Sequence, residues 1–158
     1  MTSLTQALLS QTHWDMAPLQ GTASRFRPEE IRQSIADLVQ ADRLAMADAL
    51  SAAGLSLYPE SEDILAISAL LAELRQEWVQ AGELLQQLMQ QQDMNCTATT
   101  WLHLIRVLRC QCEPAQAMQY LAQALAQHPQ DAELQQELDS LNAQFNPSQL
   151  VADGQHQH

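Results

Sequence analysis

The residues best suited to metal or redox chemistry in this sequence are its three cysteines. Cys110 and Cys112 form a Cys-x-Cys motif, Cys96 precedes them, and His103 lies about two turns earlier on the same predicted helix. Structural zinc needs four such thiolate or imidazole ligands within tetrahedral reach. No second cysteine pair or close histidine pair follows, so we predict no metal and no other cofactor. An odd number of cysteines cannot pair completely, which favours reduced thiols.

Arg106 and Arg109 are the second candidates for chemistry, because all seven cationic side chains of the chain are arginines. The two lie three residues apart on one predicted helical face, so both guanidinium groups could bind the same carboxylate of a partner. The alternative is that they pair with Glu113 or with Asp residues of neighbouring helices, since exposed ion pairs of this kind are common. Residue types alone leave both interpretations open.

The composition excludes several classes of function. The 158 residues carry a formal net charge of −12, which repels nucleic acids and anionic lipid, so we predict no nucleic-acid partner. No run approaches the roughly 18 apolar residues of a membrane span, and the N-terminus lacks the pattern of a secretory signal. We therefore expect a cytoplasmic protein without membrane insertion. No Gly-rich phosphate loop or nucleophilic triad signature appears, so we expect no enzyme.

Helical periodicity dominates the chain. Apolar residues recur every three or four positions in seven stretches, which predicts seven amphipathic helices joined by short connections into antiparallel hairpins. Pro28 and Pro114 are suited to first helical turns and Asp131 to an N-cap, and the N-cap ahead of Trp101 is Thr97, Thr99 or Thr100. The stretches are PEEIRQSIADLV, DRLAMADALSAAGLSL, DILAISALLAEL, EWVQAGELLQQLM, TWLHLIRVLR, PAQAMQYLAQAL and DAELQQELDSLNAQF.

The predicted hairpins repeat. Pro59 and Pro129 each follow a helix pair, and a third pair lies between them. A small residue recurs at Ala47, Ala81 and Ala117, with a period of 34 residues and two additional residues before the third pair. Small residues at core-facing helical positions indicate that another helix packs closely against them.

This pattern resembles the tetratricopeptide repeat, whose motif runs W-x2-L-G-x2-Y, A-x3-F, then a small residue and a closing proline. The best match comprises Trp101, Leu104, Ala117, Ala124 and Pro129 in register. Leu108 replaces the tyrosine, Leu121 the phenylalanine and Ile105 the glycine. The first repeat keeps Ala47, Gly54 and Pro59, whereas the middle repeat keeps Ala69 and Ala81 but has Leu88 and Asp93 in place of the small residue and the proline.

The resemblance implies an all-α, TPR-like right-handed superhelix of about three helical hairpins with a C-terminal capping helix. We assign residues 28–145 to this domain and residues 146–158 to a flexible tail. Residues 1–27 form a separate N-terminal segment, in which GTAS is typical of a linker. This segment caps the repeats, occupies a groove, or pairs two chains into a homodimer.

The resemblance also implies a concave groove formed by the first helix of each repeat. Transferred by position, its residues are Arg32, Val39, Ala66, Leu70, Glu73, Leu102, Arg106 and Arg109. A groove that is apolar with a cationic end suits an amphipathic helix or an acidic segment of a protein partner. We therefore expect a non-enzymatic adaptor or chaperone. The alternatives are a chaperone similar to those of type III secretion, a structural subunit of a larger assembly, and a thiol or metal sensor.

Overall fold

The computed structural model describes Leu4 and residues 16–146, and this part of the chain is helical without any β-strand. Its α-helices number eight, and a 3-10 turn at Asp93–Asn95 lies between the fifth and the sixth. The helices are α1 Met16–Ala23, α2 Pro28–Gln40, α3 Leu44–Leu57, α4 Glu62–Leu74, α5 Trp78–Gln92, α6 Ala98–Cys110, α7 Pro114–Gln127 and α8 Ala132–Phe145. By their contacts the described residues fall into two compact units, which divide between Asp93 and Met94.

The seven predicted helices are confirmed as α2 to α8. Pro28 and Pro114 stand at the first turns of α2 and α7, where a missing N–H costs nothing. Thr97 Oγ1 accepts a hydrogen bond from Thr100 N at 3.2 Å, and Asp131 Oδ1 accepts one from Leu134 N at 3.0 Å. Helical period and local caps were therefore sufficient to locate these helices.

The stretch GTAS is not a linker. Gly21 to Ala23 continue α1, and Leu19 and Ala23 are buried in the same core as residues of α2, α3 and α4. Packing of α1 against α3 outweighs the weak helix propensity of Gly and Thr. Most of the predicted N-terminal segment, including Trp14, and the tail from residue 147 onward lie outside the described residues. The domain boundaries themselves stay predictions.

The turns within the three hairpins share one closure. In each hairpin, the second residue after the end of the first helix has a left-handed backbone. These residues are Asp42, Gln76 and Cys112, with φ values of 56°, 60° and 61°. The next backbone N–H then reaches five residues back, with N···O distances of 2.8, 2.9 and 2.9 Å, in the hydrogen-bond pattern of a Schellman motif. The repeat spacing inferred from the sequence therefore reappears in backbone geometry. The two additional residues are accommodated near the 3-10 turn, where Asp93 has φ 45°.

In the first unit, α4 packs on both helices of the α2–α3 hairpin and pairs with α5. Ile31, Leu50 and Ile64 are fully buried there. Ser51 of α3 and Ser68 of α4 share a 2.7 Å hydrogen bond in this interior, so neither buried hydroxyl lacks a partner.

Gly54 shows why small residues recur at these positions. A Cβ atom at Gly54 would lie 3.3 Å from two methyl carbons of Ile64 and 3.4 Å from one of Ile31. Because α2 and α4 both approach α3 at this point, even one added carbon would be tight. The small residue is therefore a requirement of close helix packing.

In the second unit, α8 packs on both α6 and α7, as α4 does on α2 and α3. Trp101 is 4% exposed, its ring lies 6.1 Å from that of Tyr120, and its Nε1 donates to Gln127 Oε1 at 3.3 Å. Leu134 and Leu141 of α8 are fully buried. The last helix therefore covers the hairpin with an apolar face, as the capping-helix prediction requires.

Ala117→Leu is expected to lower the free energy of unfolding by about 1–3 kcal/mol, because Ala117 is fully buried and the added carbons must displace packed neighbours. Ala122→Leu, at an exposed position of the same helix, is the matched control and should change stability little. Urea unfolding followed by circular dichroism measures both. Equal stabilities of the two variants would contradict close packing at Ala117.

Candidate functional site

An apolar depression between α2 and α4 is the first surface feature of the candidate groove. It has a volume of about 200 Å³ and lies entirely in the first unit. Its lining residues are Ala36, Val39, Gln40, Ile67, Leu70, Leu71 and Leu74. Leu70 is 42% exposed and Leu74 is 56% exposed, which is unusual for leucines on a helix that also supplies the core.

The local sequence explains this exposure. Helix α4 is apolar on most of its surface, with Ile64, Leu65 and Leu71 buried. Leu70 and Leu74 lie four residues apart and thus share one helical face. Both side chains keep a large part of their surface exposed, so the apolar surface of this face remains accessible.

The structure brings Val39 and Leu70 together in this depression, as the predicted groove places them. Arg32 is exposed and pairs with Asp63 of α4, with Nη1 and Oδ1 3.2 Å apart. Ala66 and Glu73 are half-buried on α4. Leu102 is only 5% exposed, so almost none of its side chain is accessible. Assignment of these residues to a binding groove stays a prediction.

Arg106 and Arg109 do reach a common carboxylate, and it belongs to Glu137 of α8. Arg109 Nη1 pairs with Glu137 Oε1, and Arg106 Nε lies 3.4 Å from Glu137 Oε2. Arg109 Nη2 also donates to Ser140 Oγ at 3.1 Å, and Arg106 Nη2 lies 3.9 Å from Glu133 Oε2. The pairing is therefore within the protein, with α8 rather than with Glu113.

Glu137 is the residue of this site that the sequence reasoning missed. It is 7% exposed and lies between the buried Leu134 and Leu141 on one face of α8. A carboxylate at a core-facing position of an amphipathic helix requires a cationic partner, because an unpaired buried charge is costly. That break in the apolar stripe is the signal that could have identified it.

The three cysteines have contrasting environments. Cys110 and Cys112 are exposed free thiols, whereas Cys96 is 3% exposed. Burial raises the pKa of the Cys96 thiol to about 11, because the thiolate loses its hydration. Among residues with described side chains, no three His, Cys, Asp or Glu are clustered so as to hold a metal ion.

No helix in the described part of the chain combines the length and apolar character that crossing a membrane requires.

Comparison with known protein families supports the repeat assignment. A family model described as tetratricopeptide repeat matches residues 98–138, which include α6, α7 and the first half of α8. A comparison with curated proteins found no match. A tetratricopeptide repeat indicates a protein–protein interaction module, and proteins of this class are typically non-enzymatic. Residues 98–138 therefore match the tetratricopeptide repeat, and the described part of the chain is an all-α, TPR-like helical repeat.

Proposed function

We propose that this protein is a non-enzymatic adaptor or chaperone that binds an amphipathic helix of a protein partner in the depression between α2 and α4. The observation that carries the proposal is the exposure of Leu70 and Leu74 beside a concave apolar surface. Burying these two side chains against a partner would remove apolar area from water and stabilise the complex.

The dimensions of the depression favour a protein partner. Its volume of about 200 Å³ is below the range of roughly 300–1,000 Å³ that is usual for small-molecule sites. Such a space accepts a few side chains projecting from a helix. A helix presents apolar residues at i, i+3, i+4 and i+7, which suits the apolar surface formed by α2 and α4.

The net charge of the first unit predicts the sign of the charged residues that the partner helix carries. Five arginines and twelve carboxylates lie between residues 16 and 93. This excess of negative charge attracts basic residues and repels acidic ones. A basic amphipathic helix is therefore the proposed ligand. An acidic segment bound by Arg106 and Arg109 is less well supported, because it would compete with Glu137 for both guanidinium groups.

A defined peptide tests this proposal. The probe is a fluorescent helical peptide with leucines along one face and lysines on the others, and binding is followed by fluorescence anisotropy. We expect Leu70→Asp combined with Leu74→Asp to weaken binding at least about tenfold, since two apolar contacts are lost and two carboxylates would have to be buried against the leucines of the peptide. Val79→Asp is the matched control, because Val79 is 67% exposed but does not line the depression.

Two further peptides complete the test. A scrambled peptide of the same composition should bind weakly, because its leucines no longer share a face. A peptide with glutamates in place of lysines should also bind weakly. Equal binding of the original and scrambled peptides, or equal binding by the wild type and the double variant, would refute the proposed groove. Co-expression with an identified partner then distinguishes a chaperone, which should raise the soluble yield of its client, from an adaptor.

A further inference from the structure

A second cleft, in the second unit, contains both exposed thiols. It lies where the end of α6 and the start of α7 meet α8, and its volume of about 670 Å³ is within the range of small-molecule sites. Its lining residues are Arg106, Arg109, Cys110, Cys112, Pro114, Glu137 and Gln144. The protein-binding role proposed above does not use these cysteines.

The backbone at the Cys-x-Cys motif places the Cα atoms of the two cysteines close together. Cys110 ends α6, Gln111 has φ −78° and ψ 0°, and Cys112 adopts φ 61° in the left-handed turn. A near-helical residue between them sets their Cα atoms about 5.5 Å apart. This distance is within the range that a disulfide spans, and both side chains line the same cleft.

The charges of the cleft favour an anionic ligand. Its lining carries two guanidinium groups and one carboxylate, although the chain as a whole has a net charge of −12. The Arg106 side chain is 50% exposed, so part of its guanidinium surface remains accessible beside Glu137. Guanidinium groups bind carboxylates well, and this cleft brings them next to two thiols.

We propose that Cys110 and Cys112 form a thiol–disulfide exchange site for anionic low-molecular-weight disulfides of the glutathione disulfide class. One cysteine thiolate attacks a sulfur of the bound disulfide, whose S–S bond breaks and releases one thiolate that takes up a proton from water. The second cysteine then attacks the mixed disulfide, forms the Cys110–Cys112 bond and releases the other thiol. Two protein thiols are thereby oxidised, and one small disulfide is reduced to two thiols.

Cys96 is an internal reference for this chemistry. Its thiol is buried and its raised pKa keeps the thiolate scarce at neutral pH. It should therefore remain a thiol under conditions that oxidise the exposed pair. Reactivity confined to Cys110 and Cys112 would show that exposure and position, rather than the number of cysteines, determine the reaction.

The experiment treats the full-length reduced protein with glutathione disulfide and follows each cysteine by peptide mass spectrometry. In the wild type we expect a transient glutathione adduct, then an internal disulfide between Cys110 and Cys112, with Cys96 unmodified. Cys110→Ser and Cys112→Ser should each accumulate the adduct with a lifetime at least about tenfold longer, because the neighbouring thiol acts at millimolar effective concentration. Cys96→Ser should behave as the wild type.

Charge is tested by replacing glutathione disulfide with cystamine, a cationic disulfide, at low ionic strength. Faster reaction with the anionic reagent supports the assigned role of the arginines. Equal reactivity of all three cysteines, unchanged adduct lifetimes in Cys110→Ser and Cys112→Ser, or equal or faster reaction with cystamine would each overturn the proposal. Circular dichroism of the variants, whose substituted residues 110 and 112 are exposed, confirms that they remain folded.

Discussion

Replacing both Arg106 and Arg109 by glutamine is expected to lower the free energy of unfolding by about 3 kcal/mol. The change removes both cationic partners of Glu137, which is 7% exposed and would remain as an uncompensated buried carboxylate. Breaking a buried ion pair from one side costs about 3–5 kcal/mol. We place the effect at the lower end because the two arginine side chains are partly exposed.

A third substitution separates this electrostatic cost from the loss of arginine packing. Adding Glu137→Leu to the double variant removes the unpaired charge and should restore about 2 kcal/mol, since an apolar side chain suits the stripe between Leu134 and Leu141. Urea unfolding of the three proteins gives the comparison. A triple variant as unstable as the double variant would show that Glu137 is not the group the arginines stabilise.

The result also bears on function. If Glu137 depends on both arginines, these side chains hold α8 on α6, and an acidic segment of a protein partner would have to displace Glu137 from them. Their main role would then be to fix the end of the repeat. The proposed binding surface stays the apolar depression of the first unit, where Leu70 and Leu74 are exposed.

Trp101→Ala is expected to have the largest effect on stability, about 3–5 kcal/mol. The indole is 4% exposed, it contacts the ring of Tyr120, and its N–H donates to Gln127. Removing it leaves a cavity between α6 and α7 that the hairpin cannot close without moving its helices. Thermal and urea unfolding both measure the loss.

Trp101→Phe is the matched control for this prediction. It keeps an aromatic ring in the core and removes the hydrogen bond to Gln127, so we expect a loss of only about 1–2 kcal/mol. A Trp101→Ala protein within about 0.5 kcal/mol of the wild type would be incompatible with a closely packed α6–α7 hairpin.

Much of the fold could be predicted because its determinants are local. Apolar residues at helical spacing, prolines in first turns and caps such as Asp131 depend on neighbours within a few positions, and all seven predicted helices are present. The repeated small residues also indicated close packing, which Gly54 between Ile31 and Ile64 demonstrates in atomic detail. The GTAS stretch was misjudged because its helix depends on burial of Leu19 and Ala23 in a distant core.

The helices, their pairing into hairpins and the tetratricopeptide pattern could be read from the sequence, because periodicity and capping are short-range properties. Tertiary structure decided which carboxylate meets Arg106 and Arg109, since Glu137 is far along the chain and competes with many other acids. Tertiary structure also decided that Leu70 and Leu74 are exposed while Leu102 is buried. These residues have the same side chain, and only the packing of neighbouring helices determines which of them a partner can reach.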